Sequence, residues 1–215
     1  MRLLLLIVPV VFGIFAATGY GFFYRACVSV SCAVIVWLMS KPATDRSTRW
    51  VIAALLIAAV ADWFMVHSGS NPIYFLYGIG LFFVVHTGFF LFCLKNGRIH
   101  RYVLLVLLTG YLTFFFMVLH PAITDTRVWI AVLAYLLISC FSLAAAAGLR
   151  LAPVVRWCYT AGIALLVFSD TLIALRVFAG YRNIEFLILI QPTYFASQMM
   201  VTLALMKRNG SEAVN

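Results

Sequence analysis

Leu56-Ile57-Ala58-Ala59-Val60-Ala61-Asp62-Trp63-Phe64-Met65 is the stretch that decides the fold. Nine of these residues are apolar, one is an acid, and no Gly, Pro or Asn interrupts them. They belong to a longer apolar run, about Trp50–Val66, close to the ~20 residues that a helix needs to cross a bilayer. A membrane barrel strand would alternate polar and apolar residues, and this run does not. In lipid, a helix satisfies its own backbone hydrogen bonds. Asp62 is then an ionisable group inside a membrane span, which is costly and marks a functional site by default.

Seven further runs of the same kind flank it, at about Leu3–Phe22, Ala26–Ser40, Ile73–Leu94, Tyr102–Leu119, Val128–Gly148, Trp157–Val177 and Glu185–Met206. Gly, Pro, Asn and Asp gather between them, as turns require. The expected fold is all-α: a polytopic transmembrane helical bundle of about eight spans, a single domain over residues 1–206, followed by a polar cytoplasmic tail at 207–215. Composition agrees. The 215 residues are 66% hydrophobic and 10% charged, against roughly 45–50% apolar and 25% charged in soluble domains. A soluble domain of this size has too much surface to hide so much apolar matter.

The net charge of +9 would suggest nucleic acid in a soluble chain. Here the Lys and Arg residues sit at the ends of apolar runs, so no nucleic-acid partner is expected. Eleven of them fall on one side (Arg2, Lys41 to Arg49, Lys95 to Arg101, Arg150, Arg156, Lys207, Arg208) and four on the other (Arg25, Arg127, Arg176, Arg182). The positive-inside rule places both termini in the cytoplasm, and a bacterial inner (plasma) membrane is the expected location. Met1-Arg2-Leu3 with Ala16-Ala17 downstream also imitates a signal peptide. A strong basic leader is missing, so the segment reads first as a retained span. The five cysteines (Cys27, Cys32, Cys93, Cys140, Cys158) are odd in number, form no CxxC pair and read as small packing residues.

Of the six acids, only Asp62 and Asp170 lie deep inside apolar runs. They are 108 residues apart, and the same offset carries His86 to Tyr194. This suggests a four-plus-four parallel repeat with an acid on the third helix of each half and a polar ring on the fourth. Gln191, Tyr194, Gln198 and Thr202 share one face of the last helix. Ala54 and Ala58 lie on the Asp62 face of the third, where small side chains admit a close neighbour. His86 lies mid-span and reads either as an interhelical hydrogen-bonder or as a site residue. Lys41, next to Pro42, reads first as a topology determinant that snorkels to the headgroups, and otherwise as a ligand for an anion.

The succession Lys41-Pro42, Asp62, Gly80 to His86, Phe168-Ser169-Asp170-Thr171-Leu172-Ile173-Ala174 and Tyr194-Phe195-Ala196-Ser197-Gln198 resembles the YhhN/TMEM86 family of lysoplasmalogenases and their bacterial relatives. Ala61 stands where many members have Gly, and Phe89 where many have Tyr. The resemblance implies hydrolysis of the vinyl ether bond of a lysoplasmalogen to a fatty aldehyde and glycerophosphoethanolamine or glycerophosphocholine. The two acids suit that chemistry. Vinyl ether cleavage needs an acid that protonates the β-carbon and a carboxylate that steadies the oxocarbenium ion and orients water, as in glycosidases. Asp170 is the expected acid and Asp62 the stabiliser or base, with a proton shared by the pair. Ser169, His86, Tyr194 and Gln198 would position the ether and water, and Lys41 the phosphate. The implied partner is a membrane lysophospholipid with a 1-alkenyl chain; no metal or cofactor is required.

Three other readings compete. A zinc-dependent lipid hydrolase needs about three convergent histidines, and of His67, His86, His100 and His120 only His86 is clearly intramembrane. A small proton-coupled transporter would also use Asp62 and Asp170, but would call for broken helices at the site; Pro192 is the one mid-span proline of the acid-bearing and polar-striped segments. A purely structural or interaction role is the third.

Overall fold

Each apolar run folds as a helix in the computed structural model, which describes residues 2–18, 21–39, 46–181 and 184–211. A 3-10 turn, Arg2–Leu6, leads into α1 (Ile7–Ala17), followed by α2 (Phe22–Met39), α3 (Arg46–Val66) and α4 (Pro72–Asn96). Then come α5 (Arg101–Phe114), α6 (Thr126–Ala147), α7 (Pro153–Phe178) and α8 (Ile184–Ser211). One π turn, Phe115–Leu119, and a 3-10 turn, His120–Ala122, extend α5. Among the described residues, seven helices are long and apolar enough to cross a membrane, and Leu3–Ala17 is a shorter apolar helix.

Several boundaries differ from the hydropathy reading. The first run ends at Ala17 rather than Phe22, because the Thr18 hydroxyl folds back onto the Ile14 and Phe15 carbonyls. Gly21 then turns the chain with φ +86°, a conformation that suits glycine. Helices α3 and α7 begin four residues before their apolar runs, and α8 continues to Ser211, so Lys207 and Arg208 belong to a helix rather than to a tail. Apolar character stops at the edge of the hydrocarbon, whereas helical hydrogen bonding continues into the interface. Local chemistry sets the other starts. The Asn71 and Asp125 side chains accept from the Ile73 and Arg127 backbone N–H groups, at 3.1 and 2.8 Å, as helix caps do. The Arg127 hydrogen bond also holds the exposed Asp125 carboxyl below the usual carboxylate range.

The surface is apolar and the interior holds the polar groups. Tyr102, Val106, Met117 and Trp157 are exposed, whereas Asp62, His86, Ser142, Ser169 and Gln198 are buried. Helix α5 has no buried residue and lies at the periphery.

Packing carries the internal repeat. The sequential contacts α1–α2, α2–α3 and α3–α4 have counterparts in α5–α6, α6–α7 and α7–α8, and between the halves α4 packs on α6 as α8 packs on α2. The 108-residue offset holds at single contacts. Ser31-Cys32 corresponds to Ser139-Cys140, with both cysteines buried. Gly88 of α4 lies against Ala54 of α3; the counterpart of Ala54 is Gly162 of α7, which lies against Ser197 and Val201 of α8. At the end rich in Lys and Arg, the two halves are clasped. Gly97 and Leu149 form an antiparallel bridge, and Arg98 and Arg150 donate backbone hydrogen bonds to Gly148 and Asn96.

These close approaches leave no room for a methyl group. A Cβ on Gly88 would stand 2.9 Å from the Trp50 carbonyl oxygen, and one on Gly162 2.9 Å from that of Ser197. Gly88→Ala and Gly162→Ala are each expected to destabilise the protein by about 1–3 kcal/mol. Thermal unfolding in detergent reads this as a lowered Tm, against Gly110→Ala, where nothing lies within 4 Å of the added carbon.

Candidate active site

Asp62 stands one turn before the end of α3, on the face of Ala54 and Ala58, and is 5% exposed. Tyr194 of α8 donates its hydroxyl to Asp62 Oδ2 at 2.9 Å. Asp170 stands in the last third of α7, with its side chain 15% exposed. Its Oδ2 accepts from the Tyr135 hydroxyl of α6 at 2.5 Å. Nε2 of the fully buried His86 of α4 lies 3.5 Å from the same oxygen, at the outer limit of hydrogen bonding.

The repeat relates these contacts. Adding 108 converts Asp62 to Asp170 and His86 to Tyr194. The Asp62–Tyr194 and Asp170–His86 contacts are therefore counterparts, each joining the third helix of one half to the fourth of the other. One is phenol to carboxyl, the other imidazole to carboxyl. Thr171, beside Asp170, donates to the Val167 carbonyl, so the Tyr111 hydroxyl, 2.9 Å away, donates to Thr171.

Both acids line one cavity of about 60 Å³, with Arg25, Ser169, Gln191 and Tyr194 on its polar wall and Met65, Phe82, Ile173 and Phe195 on its apolar wall. This holds only a few waters, at ~30 Å³ each in bulk. Asp170, Met65, Phe82 and Ile173 also border a second chamber of about 60 Å³, whose other residues are Tyr135 and the apolar Phe75, Ile79, Val132, Ala174 and Phe178. Asp170 alone of the two acids faces both spaces. Such a site can hold water beside a pair of carboxyls and keep an apolar group against one of them.

The expected residues fare differently. Asp62, Asp170, Ser169 and Tyr194 meet at the cavity, and His86 reaches it through Asp170. Ser169 also donates to the Ile190 carbonyl at 3.0 Å, tying α7 to α8. Gln198 is buried but lies one turn beyond the cavity; its amide has no hydrogen-bond partner among the described residues. Gln191 is the glutamine that lines the site. Lys41 lies outside the described residues. Phe89, the departure from the family pattern, accepts the Tyr159 hydroxyl on its carbonyl at 3.4 Å. The histidines stand apart: His67 bonds to the Trp63 carbonyl, His100 caps α5, and His120 lies beside Trp129. Pro192 is exposed and leaves α8 continuous.

Tyr135 and Arg25 were not anticipated. Tyr135 looks like one more aromatic in an apolar run, and Arg25 counts as a loop charge until α2 is seen to start at Phe22. An arginine inside the first turn of a span was the available signal.

A family model described as the YhhN family matches residues 21–205, and the chain belongs to that family. No curated protein and no solved structure matches it.

Removing one donor from a buried carboxyl should cost about 1–3 kcal/mol. Tyr194→Phe and Asp62→Asn are expected to be non-additive in unfolding free energy, with a coupling of about 0.5–3 kcal/mol. Tyr111→Phe and Asp62→Asn, which share no partner, should add within about 0.5 kcal/mol. A double-mutant cycle in detergent measures both.

Proposed function

We propose that this YhhN-family protein is a lysoplasmalogenase: it hydrolyses the vinyl ether bond of a 1-alkenyl lysophospholipid within the membrane. The observation that carries the proposal is the pair Asp62 and Asp170 on one small buried cavity, each held by a hydroxyl donor. Family membership and the apolar surface support a lipid substrate.

The two spaces divide the substrate. The first carbons of the alkenyl chain lie in the apolar chamber, so the double bond meets Asp170, the acid common to both. Asp170 gives a proton to the β-carbon of the vinyl ether, and the α-carbon becomes an oxocarbenium ion. Asp62, across the cavity, steadies that cation and takes a proton from the attacking water. The resulting hemiacetal collapses, its hydroxyl proton leaving as the C–O bond to glycerol breaks and a proton returning to the glycerol oxygen. The products are a fatty aldehyde and a glycerophospho-alcohol, and one water is consumed. Both contacts to Asp170 fall on Oδ2, so Oδ1 is spared from them for the transfer. Tyr135 and His86 fix the carboxyl plane, and Tyr194 does the same for Asp62. Positioned acid–base groups of this kind contribute about 100- to 10,000-fold to rate.

With the purified protein in detergent, aldehyde is expected from a 1-alkenyl lysophospholipid and not from its 1-acyl analogue. Asp62→Asn and Asp170→Asn should each lower kcat by at least about 100-fold; activity persisting in both variants would refute the two-carboxyl mechanism. In D2O, the aldehyde should carry one solvent deuteron at carbon 2, read by mass spectrometry after immediate trapping. Aldehyde without that label would mean that the bond breaks by another route.

A further inference from the structure

Among the described residues, a polar opening adjoins the site at the end of the bundle opposite the clasp. The small cavity continues into a vestibule of about 840 Å³, bordered by Arg25, Ser68, Arg176 and Gln191 among apolar residues. These residues come from the first turn of α2, the second turn of α8, the last turn of α7 and the α3–α4 turn, so all lie toward one end. The other end carries the Gly97–Leu149 bridge and most of the Lys and Arg residues.

Two cations at this mouth stand out in a chain with so few charges. Arg25 borders both the vestibule and the cavity of the two acids. It is braced from α8: the Gln191 amide, with its nitrogen toward the Ala16 carbonyl at 3.2 Å, turns its oxygen to the Arg25 guanidinium. Arg176 borders the vestibule from α7. Neither arginine forms an ion pair among the described side chains. Both are half-buried, where a guanidinium prefers an anion to an empty wall and its planar donors suit phosphate oxygens.

We infer that Arg25 and Arg176 form the subsite for the substrate's phosphate, and that the lipid enters from the face opposite the basic loops. The inference rests on the hydrolase reading for the identity of the lipid; the subsite itself requires only a phosphate joined to an apolar chain. The fit follows from connectivity. A three-carbon glycerol separates phosphate from the vinyl ether, and the vestibule adjoins the cavity of the acids through shared walls at Arg25, Met65, Ile173, Ile190 and Gln191. Phosphate at the mouth, ether at Asp62 and Asp170 and the start of the chain in the apolar chamber then occupy three adjoining spaces.

The test is binding of a lipid that cannot react. A 1-alkyl lysophospholipid, whose saturated ether is not cleaved, is titrated into the full-length protein in nanodiscs beside the 1-alkylglycerol that lacks phosphate. The expected preference for the phosphorylated lipid is at least tenfold. Arg176→Gln and Arg25→Gln should each cut that preference by tenfold or more, and Arg176→Lys should restore part of it, which separates loss of charge from misfolding. An equal preference in wild type and both glutamine variants overturns the subsite. Competition by inorganic phosphate as effective as that by the lysophospholipid overturns its assignment to a lipid headgroup. In oriented vesicles, lipid added at the face bearing the C-terminus should bind at least tenfold more slowly than lipid added at the other; the reverse overturns the entry side. Binding in this pattern without aldehyde release from the 1-alkenyl lipid counts against the hydrolase reading alone. Aldehyde release without the phosphate preference counts against the subsite alone.

Discussion

A carboxyl withdrawn into a lipid-surrounded bundle must find its hydrogen-bond donors within the protein, and this requirement ties the helices together. An aspartate at the centre of a membrane helix costs about 2.5–3.5 kcal/mol on insertion scales, and less toward its ends. Asp62 and Asp170 offset such a cost through Tyr194 of α8 and Tyr135 of α6. Each bond fixes where two helices cross. The glycine contacts at Gly88 and Gly162 allow the third and fourth helices of each half to approach so closely. Small residues set the distance, and the carboxyl bonds set the register.

The 108-residue offset relates the two acids, and the places where it fails show how they differ. An exact two-fold bundle would give both acids the same partner. Here the counterpart of Tyr194 is His86, and Asp170 gains a tyrosine from α6 that Asp62 lacks among the described contacts. Asp62 faces one space, whereas Asp170 faces two. Different surroundings push the properties of two carboxyls apart, which is what the proposed acid and base roles would use.

Much of this was legible in the sequence because charge is scarce. With six acids in 215 residues, depth alone singled out Asp62 and Asp170, and a shared offset tied His86 to Tyr194. Periodicity was less informative where a helix face continues past the site. Gln191 and Gln198 lie on one stripe, yet only Gln191 borders the cavity, since a stripe gives azimuth and not depth. Tyr135 was hidden because a tyrosine in an apolar run looks like packing until its hydroxyl is seen to reach a carboxyl. Arg25 was hidden by a boundary: hydropathy starts the second span at Ala26, while the helix begins at Phe22. An arginine at the fourth position of that helix belongs to the wall of the site.

The same scarcity bears on where substrate enters. Hydrolysis of a lipid needs water at one end of the substrate and its exclusion from the other. Three adjoining spaces differ in polarity: a wide vestibule with two arginines, a cavity with room for a few waters, and a chamber whose walls beyond Asp170 and Tyr135 are apolar. A lysophospholipid has matching differences in its own structure, with charged headgroup, ether oxygen and hydrocarbon in that order. A single chain joined to a phosphate is the shape and polarity that the three spaces jointly accommodate.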